Sequence, residues 1–266
     1  YEILRCLVGS EMCIRDRRGV LFDMDGVLVN NTQAHVKAFE IFCERYGVED
    51  WQHKLQTAFG MGNDDIMRLI LPEEIIREKG MKALGEEKEA IYREVYAPEI
   101  RPVRGLVELL EELRRRGIRC AVGRFFRLRE NVDFVLSNCG ITDYFSCIVS
   151  GDRVTRCKPD PEIYLLAAEG LHLPSAECLV FEDARVGITA ARRAGAGRIV
   201  ALATTLPRHT LATQTEADVV IDDFASITDL NALHYEPCPR YHRPADPFQY
   251  LLSLIHISEP TRHLRI

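Results

Sequence analysis

Two pairs of carboxylates stand where apolar runs break off. Val20-Leu21-Phe22 ends in Asp23-Met24-Asp25-Gly26, and Cys178-Leu179-Val180-Phe181 ends in Glu182-Asp183. Both runs are short and β-prone, which predicts buried strands. In a parallel sheet, ligands gather outside the carboxyl ends of the strands. Acids paired there repel one another, and a divalent cation that favours hard oxygen ligands, Mg²⁺, is the natural compensation. Gly26 lets the backbone turn sharply beside a ligand. Between the two pairs lies Lys158, in Arg156-Cys157-Lys158-Pro159-Asp160-Pro161. The prolines stiffen this loop ahead of a helix, so the ammonium can neutralise a phosphoryl group or a nucleophilic carboxylate. A solvated surface lysine is the plainer alternative.

Such residues need a scaffold to meet. Strand and helix signals alternate over 18–32 and 102–234, which predicts an α/β, Rossmann-like parallel-sheet core covered on both faces. Helices are expected at Leu106–Arg116, Leu128–Leu136, Pro161–Leu171, Val186–Ala194 and Ile227–His234. Short strands are expected at Cys120–Val122, Ile148–Val149 and Ile199–Leu202, with Val219–Ile221 at an edge. Residues 33–101 carry helix signals and little strand signal. Thr32–Tyr46, Trp51–Phe59 and Asp64–Leu71 are followed by one long charged stretch from Pro72 to Tyr96. This block reads as a helical cap domain inserted into the core.

The ends read differently. Ser253–Arg262 can be encoded so that the reverse complement, read one base in, yields Leu7–Arg15. Residues 1–17 and 250–266 are therefore expected to be translated sequencing adapter rather than native structure. Residues 235–249 are a tail of uncertain origin. Within it, Cys238 with His242 is a weak metal-site pattern, and a chance pair is the plainer reading.

An apolar fraction of 47% and a charged fraction of 28% are ordinary for a soluble globular chain. A net charge of −6 argues against a nucleic-acid binder and does not favour anionic membranes. No span is apolar enough to cross a bilayer. Nine cysteines occur without a C-x-x-C pair, a dispersed set that suggests reduced thiols in the cytoplasm.

Asp23-Met24-Asp25-Gly26, Lys158-Pro159 and Glu182-Asp183, in this order, resemble the haloacid dehalogenase superfamily of phosphohydrolases. The helical block after the first motif resembles its small-cap subclass, which holds the β-phosphoglucomutase-like and phosphoglycolate phosphatase-like enzymes. The resemblance spans about Gly19 to His234. It implies a Mg²⁺-dependent phosphatase of a small phosphorylated metabolite, acting as a monomer through an aspartyl-phosphate. Asp23 would be the nucleophile and Asp25 the general acid and base. Mg²⁺ would be held by Asp23, the Asp25 carbonyl and Asp183, with Glu182 as a ligand or just behind one. Lys158 would bridge Asp23 and the phosphate, and Gly26 and Gly123 would line the phosphate site.

One motif departs from the family. A Ser or Thr is expected at the end of the second core strand, but Ala121-Val122-Gly123 runs into Arg124-Phe125-Phe126. Three readings stay open: impaired chemistry, a local read error over 124–127, or a guanidinium fork that binds phosphate. In the cap, His35 occupies the place of a hinge histidine of the β-phosphoglucomutase-like group, with an exposed helix histidine as the plainer alternative. Asn63 stands where the mutases carry an arginine, and Asp64 and Asp65 follow it. An acidic loop suits a bisphosphate poorly. The expectation is thus a phosphatase, with a hexose-phosphate mutase and a non-catalytic phosphate-binding module as alternatives.

Overall fold

The computed structural model describes residues 18–57, 63–124 and 129–227. Both terminal segments, the 235–249 tail, the Gly60–Gly62 loop, Phe125, Phe126 and nearly all of the expected final helix lie outside the described residues.

Among the described residues, six parallel strands form one sheet in the order β3-β2-β1-β4-β5-β6. They are β1 Gly19–Phe22, β2 Arg119–Gly123, β3 Phe145–Val149, β4 Cys178–Glu182, β5 Arg198–Leu202 and β6 Val219–Ile221. This is a Rossmann-like α/β sheet. Side chains alternate between its faces, as strand geometry requires. Val20, Phe22, Leu179, Phe181, Val200 and Leu202 feed one apolar cluster, while Leu21, Val180, Ile199 and Ala201 feed the other. Phe22 stacks on Phe181 with ring centroids 5.1 Å apart, which locks β1 beside β4.

Strand order reverses at β1. The chain builds outward through β2 and β3, then returns to place β4 on the other side of β1. The β1/β4 boundary is therefore the switch point, where a crevice opens beyond the strand ends. Phe22 pairs with Phe181, so Asp23 and Glu182 emerge side by side.

Among the described residues, five helices separate β1 from α6: α1 Thr32–Arg45, α2 Trp51–Thr57, α3 Asn63–Ile70, α4 Glu73–Lys79 and α5 Met81–Tyr96. The long charged helical stretch expected from Pro72 to Tyr96 is divided into two helices. Gly80 adopts φ 81°, ψ 138°, a conformation that breaks the helix and that glycine takes without steric cost. Helices α6 Leu106–Arg115, α7 Arg129–Asn138, α8 Glu162–Gly170 and α9 Arg185–Arg193 lie within about two residues of expectation. Helix α10 Arg208–Gln214 was not anticipated, because its seven residues include two β-branched threonines of low helix propensity and one large apolar side chain, Leu211.

Candidate active site

The sequence-predicted residues converge at the switch point. Asp23 continues β1 by one residue, its N–H donating to the Phe181 carbonyl at 3.0 Å. The chain then turns back, with the Gly26 N–H donating to the Val29 carbonyl at 2.8 Å. Gly26 has φ 71°, and a Cβ there would fall 1.9 Å from Asp183 Oδ2. Only a glycine lets the first motif and the second approach so closely.

Lys158 reaches the site from the loop before α8. Glu162 shapes that loop: its carboxylate accepts from the backbone N–H groups of Thr155 and Arg156, each at 2.9 Å. Lys158 Nζ then donates to Asp23 Oδ1 at 2.5 Å and Glu182 Oε1 at 2.6 Å, and lies 3.1 Å from the Tyr164 hydroxyl. Tyr164 also donates to Glu182 Oε1 at 2.7 Å. The other Glu182 oxygen accepts from the backbone N–H groups of Asp183 and Ala184 at 2.9 and 3.0 Å. Lys158 is thus no solvated surface lysine but a tether across the two carboxylate motifs.

The electrostatics are lopsided. Ligand atoms of Asp23, Glu182 and Asp183 all lie within 4.8 Å of one another. Burial, helped by Glu182 and Asp25, pushes Asp23 up to about 7 against the pull of Lys158. Burial, Glu182 and Asp23 together raise Asp183 well above the ordinary carboxylate range. Burial opposes charge on Glu182 too, but Lys158 and its hydrogen bonds hold it below its ordinary value. Buried acids whose protons are held this tightly fit a hard divalent cation.

Asp25 sits on the far side of Met24. Its Oδ1 accepts from Asn31 Nδ2 at 2.6 Å, and its Oδ2 lies 3.2 Å from Arg124 Nη2. Arg124 is 1% exposed, so the residue replacing the expected hydroxyl is packed into the site against the Asp25 carboxylate. Gly123 ends β2 with its vacant side-chain direction facing Ile163 of α8.

The helical insertion contributes a second polar cluster. His35 is not an exposed helix histidine: it stacks on Tyr92 with centroids 4.0 Å apart, and its Nδ1 lies 3.0 Å from Lys88 Nζ. Burial and Lys88 depress its pKa to about 3, so the ring is neutral. Asn63 donates to Glu89 at 2.5 Å. Asn31, Tyr164, Lys88, Glu89 and Asn131 were not singled out from sequence. No motif marks them, and lysine and glutamate on a helix ordinarily signal a solvated face.

A family model described as haloacid dehalogenase-like hydrolase matches residues 20–201. The chain belongs to the haloacid dehalogenase-like hydrolase family. One relative, the phosphorylated carbohydrates phosphatase of Thermotoga maritima, is 31% identical over 183 residues, covering 68% of this chain and 82% of that protein. The crystal structure of CbbY from Rhodobacter sphaeroides in complex with phosphate superposes with a TM-score of 0.67 at 26% identity, covering 80% of this chain and 96% of that one. β-Phosphoglucomutase from Clostridium difficile shares the fold, with a TM-score of 0.65 at 23% identity over 79% and 93% of the two chains. The family expectation from the motifs is borne out, as is the Rossmann-like core. Among the described residues no helix is long and apolar enough to cross a membrane.

Proposed function

We propose that this hydrolase is a Mg²⁺-dependent phosphatase of a small phosphomonoester, of the phosphorylated-carbohydrate class, working as a cytoplasmic monomer. The observation that carries the reading is Lys158, strung between Asp23 and Glu182 with Asp183 alongside. A carboxylate needs no base to activate it, so Asp23 attacks phosphorus directly and forms an aspartyl-phosphate. The phosphorus–oxygen bond to the sugar breaks, and the departing alkoxide takes a proton from Asp25. Asp25 then removes a proton from water, which attacks the phosphoryl group. Inorganic phosphate leaves, and Asp23 is restored. Lys158 pairs with Asp23 and the incoming phosphoryl oxygens. Asp23, Asp183 and the Asp25 carbonyl would hold Mg²⁺, with Glu182 as a further ligand or just behind one, and the ion would supply positive charge to offset that of the phosphoryl group. The helices from α1 to α5 act as a cap that selects the substrate.

The mutase alternative is disfavoured because Asn63 spends its amide on Glu89 and offers no cation to a second phosphate. Phosphate release from p-nitrophenyl phosphate and a panel of sugar phosphates, with Mg²⁺ and with EDTA, tests the proposal. Asp23→Asn is expected to lower it at least about a thousandfold. Full activity in that variant sinks the mechanism. Interconversion of 1- and 6-phosphosugars without phosphate release identifies a mutase.

A further inference from the structure

The buried polar cluster under α5 has a centre that the hydrolytic chemistry does not use. Asn131, on the core helix α7, is fully buried. Its amide is gripped by two residues one turn apart on α5. Arg93 Nη1 donates to Asn131 Oδ1 at 2.5 Å, and Asn131 Nδ2 donates to Glu89 Oε2. The other Glu89 oxygen takes Lys88 at 2.7 Å and Asn63 at 2.5 Å. Lys88 in turn meets His35, which stacks on Tyr92, and Asn31 links the Tyr92 hydroxyl to Asp25. A primary amide can donate and accept at once, and here both halves are used across the boundary between insertion and core.

We propose that Asn131 is a positioning residue: its clasp with Glu89 and Arg93 sets the insertion against the core and so holds Lys88, His35 and Asn31 in register with Asp25. The proposal rests on the phosphatase reading above. Asn131→Asp keeps the shape but cannot donate, and it sets a second carboxylate against Glu89. Glu89→Gln removes that conflict and supplies the missing donor, so exchanging the two groups rebuilds the contact in reverse.

The test is a double-mutant cycle on the full chain, assayed with Mg²⁺ and p-nitrophenyl phosphate. Asn131→Asp and Glu89→Gln are each expected to lower kcat/KM about tenfold or more, because one orphaned partner in a buried network costs the whole arrangement. The double variant is expected to return to within about threefold of the parent, an interaction between contacting residues that additive losses lack. A double variant as poor as the product of the singles, or an unaffected Asn131→Asp, overturns the proposal. Amide hydrogen exchange over α5 supplies an arm independent of turnover. Asn131→Asp should speed exchange at 81–96 relative to β1 and β4, and the double variant should reverse it. If the parent protein releases no phosphate from any probe, the phosphatase reading fails, while unchanged exchange in Asn131→Asp defeats the clasp.

Discussion

Lys158 and Lys88 are both largely buried, yet their surroundings drive them in opposite directions. Burial opposes the charge on each. At Lys158, Asp23 and Glu182 outweigh that cost and raise the ammonium well above its ordinary value. At Lys88, burial, with Arg124 adding repulsion, outweighs the pull of Glu89 and the weaker pull of Asp25, and the pKa falls. The Lys158 site is a crowd of acids around one cation and is under-neutralised. The Lys88 cluster pairs Lys88 with Glu89, reaches Arg93 through Asn131 and Asp25 through Asn31, and places neutral donors and acceptors between these charges. The first arrangement leaves acids in excess, as the proposed metal and phosphoryl chemistry requires; the second uses its polar groups to hold helices together.

That contrast predicts unequal damage. Lys158→Met should lower phosphate release about a hundredfold or more, as expected when a cation aimed at the transferring group is lost. It should also cost about 3–5 kcal/mol of stability, since Glu182 is left buried without its counter-ion. Steady-state kinetics and urea unfolding measure the two effects. Arg124→Ser comes next. Removing the guanidinium releases Asp25 and supplies the family hydroxyl, and kcat should rise about tenfold. A fall instead would assign Arg124 to phosphate binding. Lys88→Met should destabilise the fold as Lys158→Met does, but lower p-nitrophenyl phosphate hydrolysis only about threefold to tenfold. Equal kinetic losses for the two lysines would erase the distinction.

The smallest effect is a pH dependence. Asp23 and Asp183 have folded pKa values above their unfolded ones. Without a cation, the folded chain therefore binds their protons more tightly than the unfolded chain. Their contribution to stability is complete below about pH 4; that of Asp23 is lost as pH rises through about 7, and that of Asp183 is lost as pH rises through its own raised folded pKa. Mg²⁺ competes with those protons. It should raise Tm by about 3–5 °C at pH 8 and leave it almost unchanged at pH 5. A Mg²⁺ effect independent of pH would move the cation site away from these carboxylates.

Much of the hydrolytic site was legible because it is written in local patterns. Apolar runs that stop at Asp23 and at Glu182 announce strand ends, and the Pro-flanked Lys158 announces a shaped loop. The break at Gly80 was missed because a charged helical pattern on both sides hides a single residue. The Lys88 cluster was invisible for a different reason. Lys88 and Glu89 read as helix surface, and Asn131 is one polar residue among others on α7.

The sequence alone therefore determined the strands, the two acid motifs, the lysine between them and the family to which they belong. Short-range hydrophobic patterning and turn chemistry suffice for these. Tertiary structure decided what those residues face. Placing β4 beside β1 brings Glu182 within reach of Lys158 and crowds Asp183 against Gly26. Packing α5 against α7 buries Lys88 and Glu89 and makes Asn131 their partner. Burial turns an ordinary surface pair into a hydrogen-bonded clasp, and burial is a property of the packed molecule rather than of any local stretch of chain.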